Sequence, residues 1–161
     1  MGWVTLTLRK QGLKQQSNAY ELQLLQISSK RRSLARNKTA KLAALKAEKS
    51  ESLMGIDGKY QTAKTDYQNA LKDKDIDQQD LQSAQFEYQS AKEEYEAQKA
   101  AITDYIETEQ DEIESDVTDQ ETELDQEQTR IEALLQSVNQ EIESVGQQIG
   151  SDIQASTIKF S

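Results

Sequence analysis

A chain of 161 residues is long enough for one ordinary domain, yet only 35% of it is apolar and 30% is charged, with two Phe and one Trp. That composition starves a compact globule of core. Cys and His are absent, which removes disulfides, thiolate nucleophiles, imidazole bases and the usual zinc ligands, and with them most catalytic constellations.

Low hydrophobicity with a net charge of −10 is also a signature of disorder. The regular spacing of the apolar residues argues against disorder. Proline is absent and only six glycines occur, so a chain rich in Ala, Leu, Glu, Lys and Gln favours long helices. Charge is divided along the chain: residues 1–47 carry ten basic side chains against Glu21 alone, a net of +9, which leaves −19 for the remainder. Between Lys99 and Arg130 stand twelve acids and no base. Stretches of opposite sign point to pairing within the chain or between subunits before they point to an external polyanion.

The opening WVTLTL alternates Val4, Leu6 and Leu8 with Trp3, Thr5 and Thr7, a period of two that predicts a strand or extended arm over residues 1–16. A lone strand leaves its backbone unsatisfied, and the tail 150–161, ending STIKFS with Ile158 and Phe160 alternating, is its expected partner. Gly2 invites a myristoylation reading, but Leu6 stands where that motif wants Ser or Thr. The start lacks the positive-then-apolar order of a signal peptide, and no apolar run approaches the roughly 18 residues of a membrane span. The expectation is a cytoplasmic protein or one held within an assembled particle, with no membrane partner.

Asn18 with Glu21 has the spacing of a capping box, opening a basic amphipathic helix over 17–54. Its stripe runs through Tyr20, Leu24, Ile27, Leu34, Leu42 and Leu45. The four residues 55–58, Gly-Ile-Asp-Gly, read as the turn of a helical hairpin.

A heptad helix follows over 59–103, in which the phrase Gln-[Ser/Thr]-Ala-x-x-[Asp/Glu]-Tyr occurs three times, ending at Tyr67, Tyr88 and Tyr95. With tyrosine at position a, the seam reads Tyr60, Tyr67, Leu81, Tyr88, Tyr95 and Ile102 at a, and Ala63, Ala70, Ala84 and Ala91 at d. Large a and small d residues favour antiparallel packing, with each tyrosine over an alanine of the facing helix. A fold-back at 55–58 pairs residue k with residue 113 − k. Lys38 then meets Asp75, and Arg31 and Lys38, which interrupt the first stripe, become register partners of the facing stretch that holds Asp75 and Asp77, where Lys74 and Asp77 interrupt the second stripe.

Weak restart signals at Asp104 and Thr118 suggest a further helix over 104–149, acidic at first and then apolar. Ile106 and Val117, and Ile113 and Leu124, are eleven apart, the period of a straighter coil. Ile131, Leu135, Val138, Ile142, Val145 and Ile149 then form a seam suited to homo-oligomerisation or to packing on the first helix. The acidic run 104–127 reads as a solvated face.

Asp73, Asp75 and Asp77 mimic the start of a calcium loop, but Gln78 and Ala84 occupy its sixth and twelfth positions. No catalytic pair, metal site, cofactor or small-molecule substrate is indicated. The serious external-partner candidate is the stretch 28–41, where Lys30, Arg31, Arg32, Arg36, Lys38 and Lys41 stand without an acid and suit phosphates or an acidic partner. The expected fold class is all-α: long amphipathic helices in an antiparallel hairpin or coiled coil, with a β-like N-terminal arm and a β-like tail. The expected function is a non-enzymatic structural or scaffold coiled coil that self-associates as a subunit of a larger assembly, such as a phage particle or a secretion or envelope apparatus. The alternative is a nucleic-acid-binding or packaging adaptor using residues 28–46.

Overall fold

A computed structural model describes residues 2–160, the side chains of 158–160 excepted, as two helices, α1 (Trp3–Lys72) and α2 (Gln78–Phe160), joined by residues 73–77. No strand occurs among the described residues. Without proline, nothing removes a backbone donor along either helix, and the abundant Ala, Leu, Glu, Lys and Gln carry little helix penalty. No helix among the described residues is long and apolar enough to cross a membrane.

Three sequence expectations are overturned. The stretch read as a strand arm over 1–16 is helical from Trp3, where the Gly2 carbonyl accepts from the backbone N–H groups of Thr5 and Leu6. Helical geometry carries Leu6 into the buried seam while Val4 and Leu8 face water, so no lone strand edge needs a partner. The tail is likewise helical through Phe160, and the alternation read there from Ile158 and Phe160 rests on side chains outside the described residues. The restart signals at Asp104 and Thr118 lie within the unbroken α2, as Asn18 lies within α1.

The largest correction concerns the turn. Gly55 and Gly58 sit inside α1 with no positive φ, and the chain reverses at residues 73–77 instead. Aspartates build this connection. The Asp73 carboxylate accepts from the backbone N of Asp75 at 3.0 Å, and the Asp77 carboxylate caps α2 by accepting from the backbone N of Gln79 at 3.3 Å. Asp80 adds an acidic side chain in the first turn of α2.

The contacts fall into two units. The central unit, Asn37–Asp116, is a helical hairpin closed by this connection; the terminal unit joins α1 up to Arg36 with α2 from Val117. Both pair the helices antiparallel: Tyr60 meets Tyr95 and Tyr67 meets Tyr88 in the central unit, while Ser17 meets Asn139 and Arg31 meets Asp125 in the terminal one, pairs whose numbers add to 155 or 156.

In each unit one stripe per helix is buried at alternating three- and four-residue steps, the spacing of a helix face turned to a partner. Leu6, Ile27 and Leu34 of α1 are buried in the terminal unit, as are Ile131, Val138 and Val145 of α2. Between these regular stretches the period lengthens: Leu34, Leu45 and Ile56 of α1 and Tyr95, Ile106 and Val117 of α2 are spaced by eleven. An eleven-residue repeat keeps an apolar face in line along a helix at 3.67 residues per turn.

Candidate functional site

The repeated tyrosine phrase builds the most specific feature of the central unit. Tyr95, Tyr60, Tyr88 and Tyr67 form one continuous stack drawn alternately from α2 and α1. Ring centroids are separated by 4.7, 6.1 and 5.2 Å and interplanar angles are 14°, 27° and 15°. Position a therefore meets position a. This overturns the expected tyrosine-over-alanine layers, because moving the turn to 73–77 changes which residues face each other. Four rings in offset contact gain aromatic stacking energy that a tyrosine over a methyl group lacks.

The alanines pay the geometric consequence. Ala63 and Ala91 face the same open recess of about 450 Å³, walled by Thr62, Ser90 and Phe86 and bridged by the 2.9 Å ion pair of Lys59 with Glu94. Ala70 and Ala91 are buried, whereas Ala63, Ala84, Leu81 and Ile102 are half-buried on the same seam.

Environment tunes two phenols. The Tyr88 side chain stacked beside it holds the Tyr60 phenol above the usual tyrosine range, and partial desolvation and the charges on Glu96 and Tyr95 push in the same direction. Tyr105 is raised chiefly by Glu109, then by Glu48 across the hairpin, with desolvation and Glu112 adding to both. Among the described residues no group of three or more His, Cys, Asp or Glu side chains is arranged to hold a metal ion.

The register partners differ from those expected. Arg31 is half-buried in the α1 seam, where an interrupting charge was anticipated, but its guanidinium donates to Asp125 and, at 2.9 Å, to Gln128. Asp75 and Asp77 lie in the connection, and Lys38 lies at the far end of the central unit from them. The fold-back at 73–77 separates the residues that a fold-back at 55–58 would have joined.

Ile131, Leu135, Val138, Ile142, Val145 and Ile149, read as an oligomer seam, are covered by α1 of the same chain, and Ile131 is 0% exposed. Of the two readings offered for that seam, packing on the first helix describes this structure. Sequence reasoning missed Ser17 and Asn139. The Ser17 hydroxyl, buried in the seam, lies 3.0 Å from the Asn139 amide oxygen, a polar layer in an apolar stripe. The signal was a serine in phase with Leu13, Tyr20 and Leu24.

Within 28–41, Lys30, Arg32, Arg36 and Lys41 are exposed, and Arg31 and Lys38 are half-buried in the seam. Arg9 makes a further ion pair, with Glu141. The two helices of the terminal unit nearly cancel, at +6 for residues 1–36 and −7 for 117–161, while the central unit carries −9.

No protein-family model matches the chain, and neither a curated protein nor a solved structure matches it.

Proposed function

We propose that the protein is a non-enzymatic structural scaffold that self-associates through coiled-coil packing as a subunit of a larger assembly. One observation carries the reading. Among the described residues, eleven large hydrophobic side chains stay exposed while eleven hydrophobic residues are buried. A pair of helices has a single seam and must leave the rest of its apolar surface to water or to another helix. Exposed apolar residues scattered singly need no explanation, but residues aligned on a helix face mark an association surface.

The test is native mass by light scattering at micromolar concentration. A multiple of 18.2 kDa that falls on dilution supports self-association, and a monomer at every concentration overturns it. The exposure of Lys30, Arg32 and Arg36 supports a second reading, nucleic-acid binding by this basic stretch. The near cancellation of charge within the terminal unit weighs against it. Steeply salt-dependent binding of duplex DNA or RNA, lost when those three residues are neutralised, would favour the adaptor over the scaffold.

A further inference from the structure

The face of α1 turned away from α2 in the terminal unit carries an apolar pattern that the seam does not use. Val4, Leu8, Leu22 and Leu25 are 54, 64, 56 and 68% exposed. Leu8 and Leu22 are two heptads apart and Val4 and Leu25 three, so all four lie on one stripe nearly opposite the buried Leu6 and Ile27. Between them the same stripe holds Gln11, Gln15 and Asn18, and no charged residue stands on it until Arg32.

From this arrangement we infer that the stripe binds a second copy of the chain, α1 against α1, antiparallel about a two-fold axis close to Gln15. The inference rests on the self-association reading above and names its contact surface. A two-fold contact demands that if residue i meets j, then j meets i. The stripe satisfies this. Val4 with Leu25 and Leu8 with Leu22 add to 29 and 30, as do Gln11 with Asn18 and Gln15 with itself. Every apolar position meets an apolar one and every amide meets an amide. The like-with-like layering is the one the hairpin itself uses, where tyrosine stacks on tyrosine and Ala63 shares a recess with Ala91.

One further observation fits a second helix here. Charge permits the contact: the terminal unit is close to neutral at −1, and one flank of the stripe carries Lys14 and Glu21, a cation and an anion one heptad apart. Two copies meeting through the central unit, at −9 each, would repel.

Two variants of the full chain test the inference. Leu22→Glu places a charge on an exposed position, leaves the intrachain seam untouched, and should halve the native mass of the dimer while circular dichroism stays unchanged. In a chain without cysteine, Gln15→Cys places one thiol beside the axis, and mild oxidation should convert most of the protein to a covalent dimer. The same substitution at the exposed Gln136 of α2 should not. If wild type self-associates but Leu22→Glu keeps its mass and Gln15→Cys fails to cross-link, this surface is wrong and the scaffold reading stands. A wild type that is monomeric throughout overturns both.

Discussion

At the residue scale the informative side chains are those whose partners differ from what their neighbours in sequence suggest. Tyr60 has its phenol raised above the usual range beside Tyr88, so the folded chain keeps the phenolic proton to higher pH than the unfolded chain does. Between the unfolded value, about 10, and the raised folded value, unfolding releases protons; stability is fully present below pH about 10 and falls as pH rises beyond it. Tyr105 acts with the same sign. Thermal melts followed upward from pH about 9 should show a falling midpoint that is shallower in Tyr60→Phe, and a wild-type midpoint flat through this range would refute the account. In the terminal unit, Ile131 has no exposed surface, and Ile131→Ala removes a buried side chain whose cavity α1 and α2 cannot fill without moving apart. The cost should be about 2–5 kcal/mol in chemical denaturation. For Arg31 and Asp125, exposed enough for water to screen them, the coupling energy in a double-mutant cycle should stay within about 1 kcal/mol.

At the element scale the decisive question is where the chain reverses. Inside a helix, a glycine with open space around it and no positive φ is only a penalty, so Gly55→Ala and Gly58→Ala should each stabilise the protein by about 1 kcal/mol. At a turn that needs a left-handed residue, the same changes would destabilise, so a lowered melting temperature in either variant would contradict this structure. Asp77→Ala should cost about 1 kcal/mol through loss of the α2 cap. Helix, antiparallel pairing and the residues of the tyrosine seam were legible in the sequence because each is written in local spacing. The turn was not, because Gly55 and Gly58 are the stronger local breakers and the aspartates at 73–77 look like a failed calcium loop. What overrides the glycines is non-local. A reversal at 55–58 would leave residues 113–161 without a facing helix and expose Ile131, Val138 and Val145, whose burial far exceeds two glycine penalties. A turn at 55–58 gives Lys38 the wrong partners and takes from the apolar end of α2 the stretch of α1 that covers it. The N-terminal period of two misled for a related reason: Val4, Leu6 and Leu8 alternate because Leu6 belongs to the seam and the other two to the opposite face.

At the scale of the whole molecule the two units differ in how far apart in sequence their partners lie. In the central unit Lys59 and Glu94 are 35 residues apart, and the stacked tyrosines nearer the connection are closer still. In the terminal unit the separations are 94 for Arg31 with Asp125 and 132 for Arg9 with Glu141. Closing a long loop costs more chain entropy than closing a short one, so pairing that starts beside the connection brings each later pair together at little added cost. The central unit therefore holds the contacts that need no other part of the chain to form first. A fragment spanning residues 37–116 should give a helical circular dichroism spectrum and a cooperative melt whose midpoint does not depend on concentration. An equimolar mixture of fragments 1–36 and 117–161 has lost its tether, so its helicity should rise with concentration and fall with added salt, since +6 on one strand faces −7 on the other. If the 37–116 fragment stays a coil when cold while the untethered mixture is helical, then pairing does not begin at the connection, and the aspartate turn follows the assembly of the helices instead of leading it.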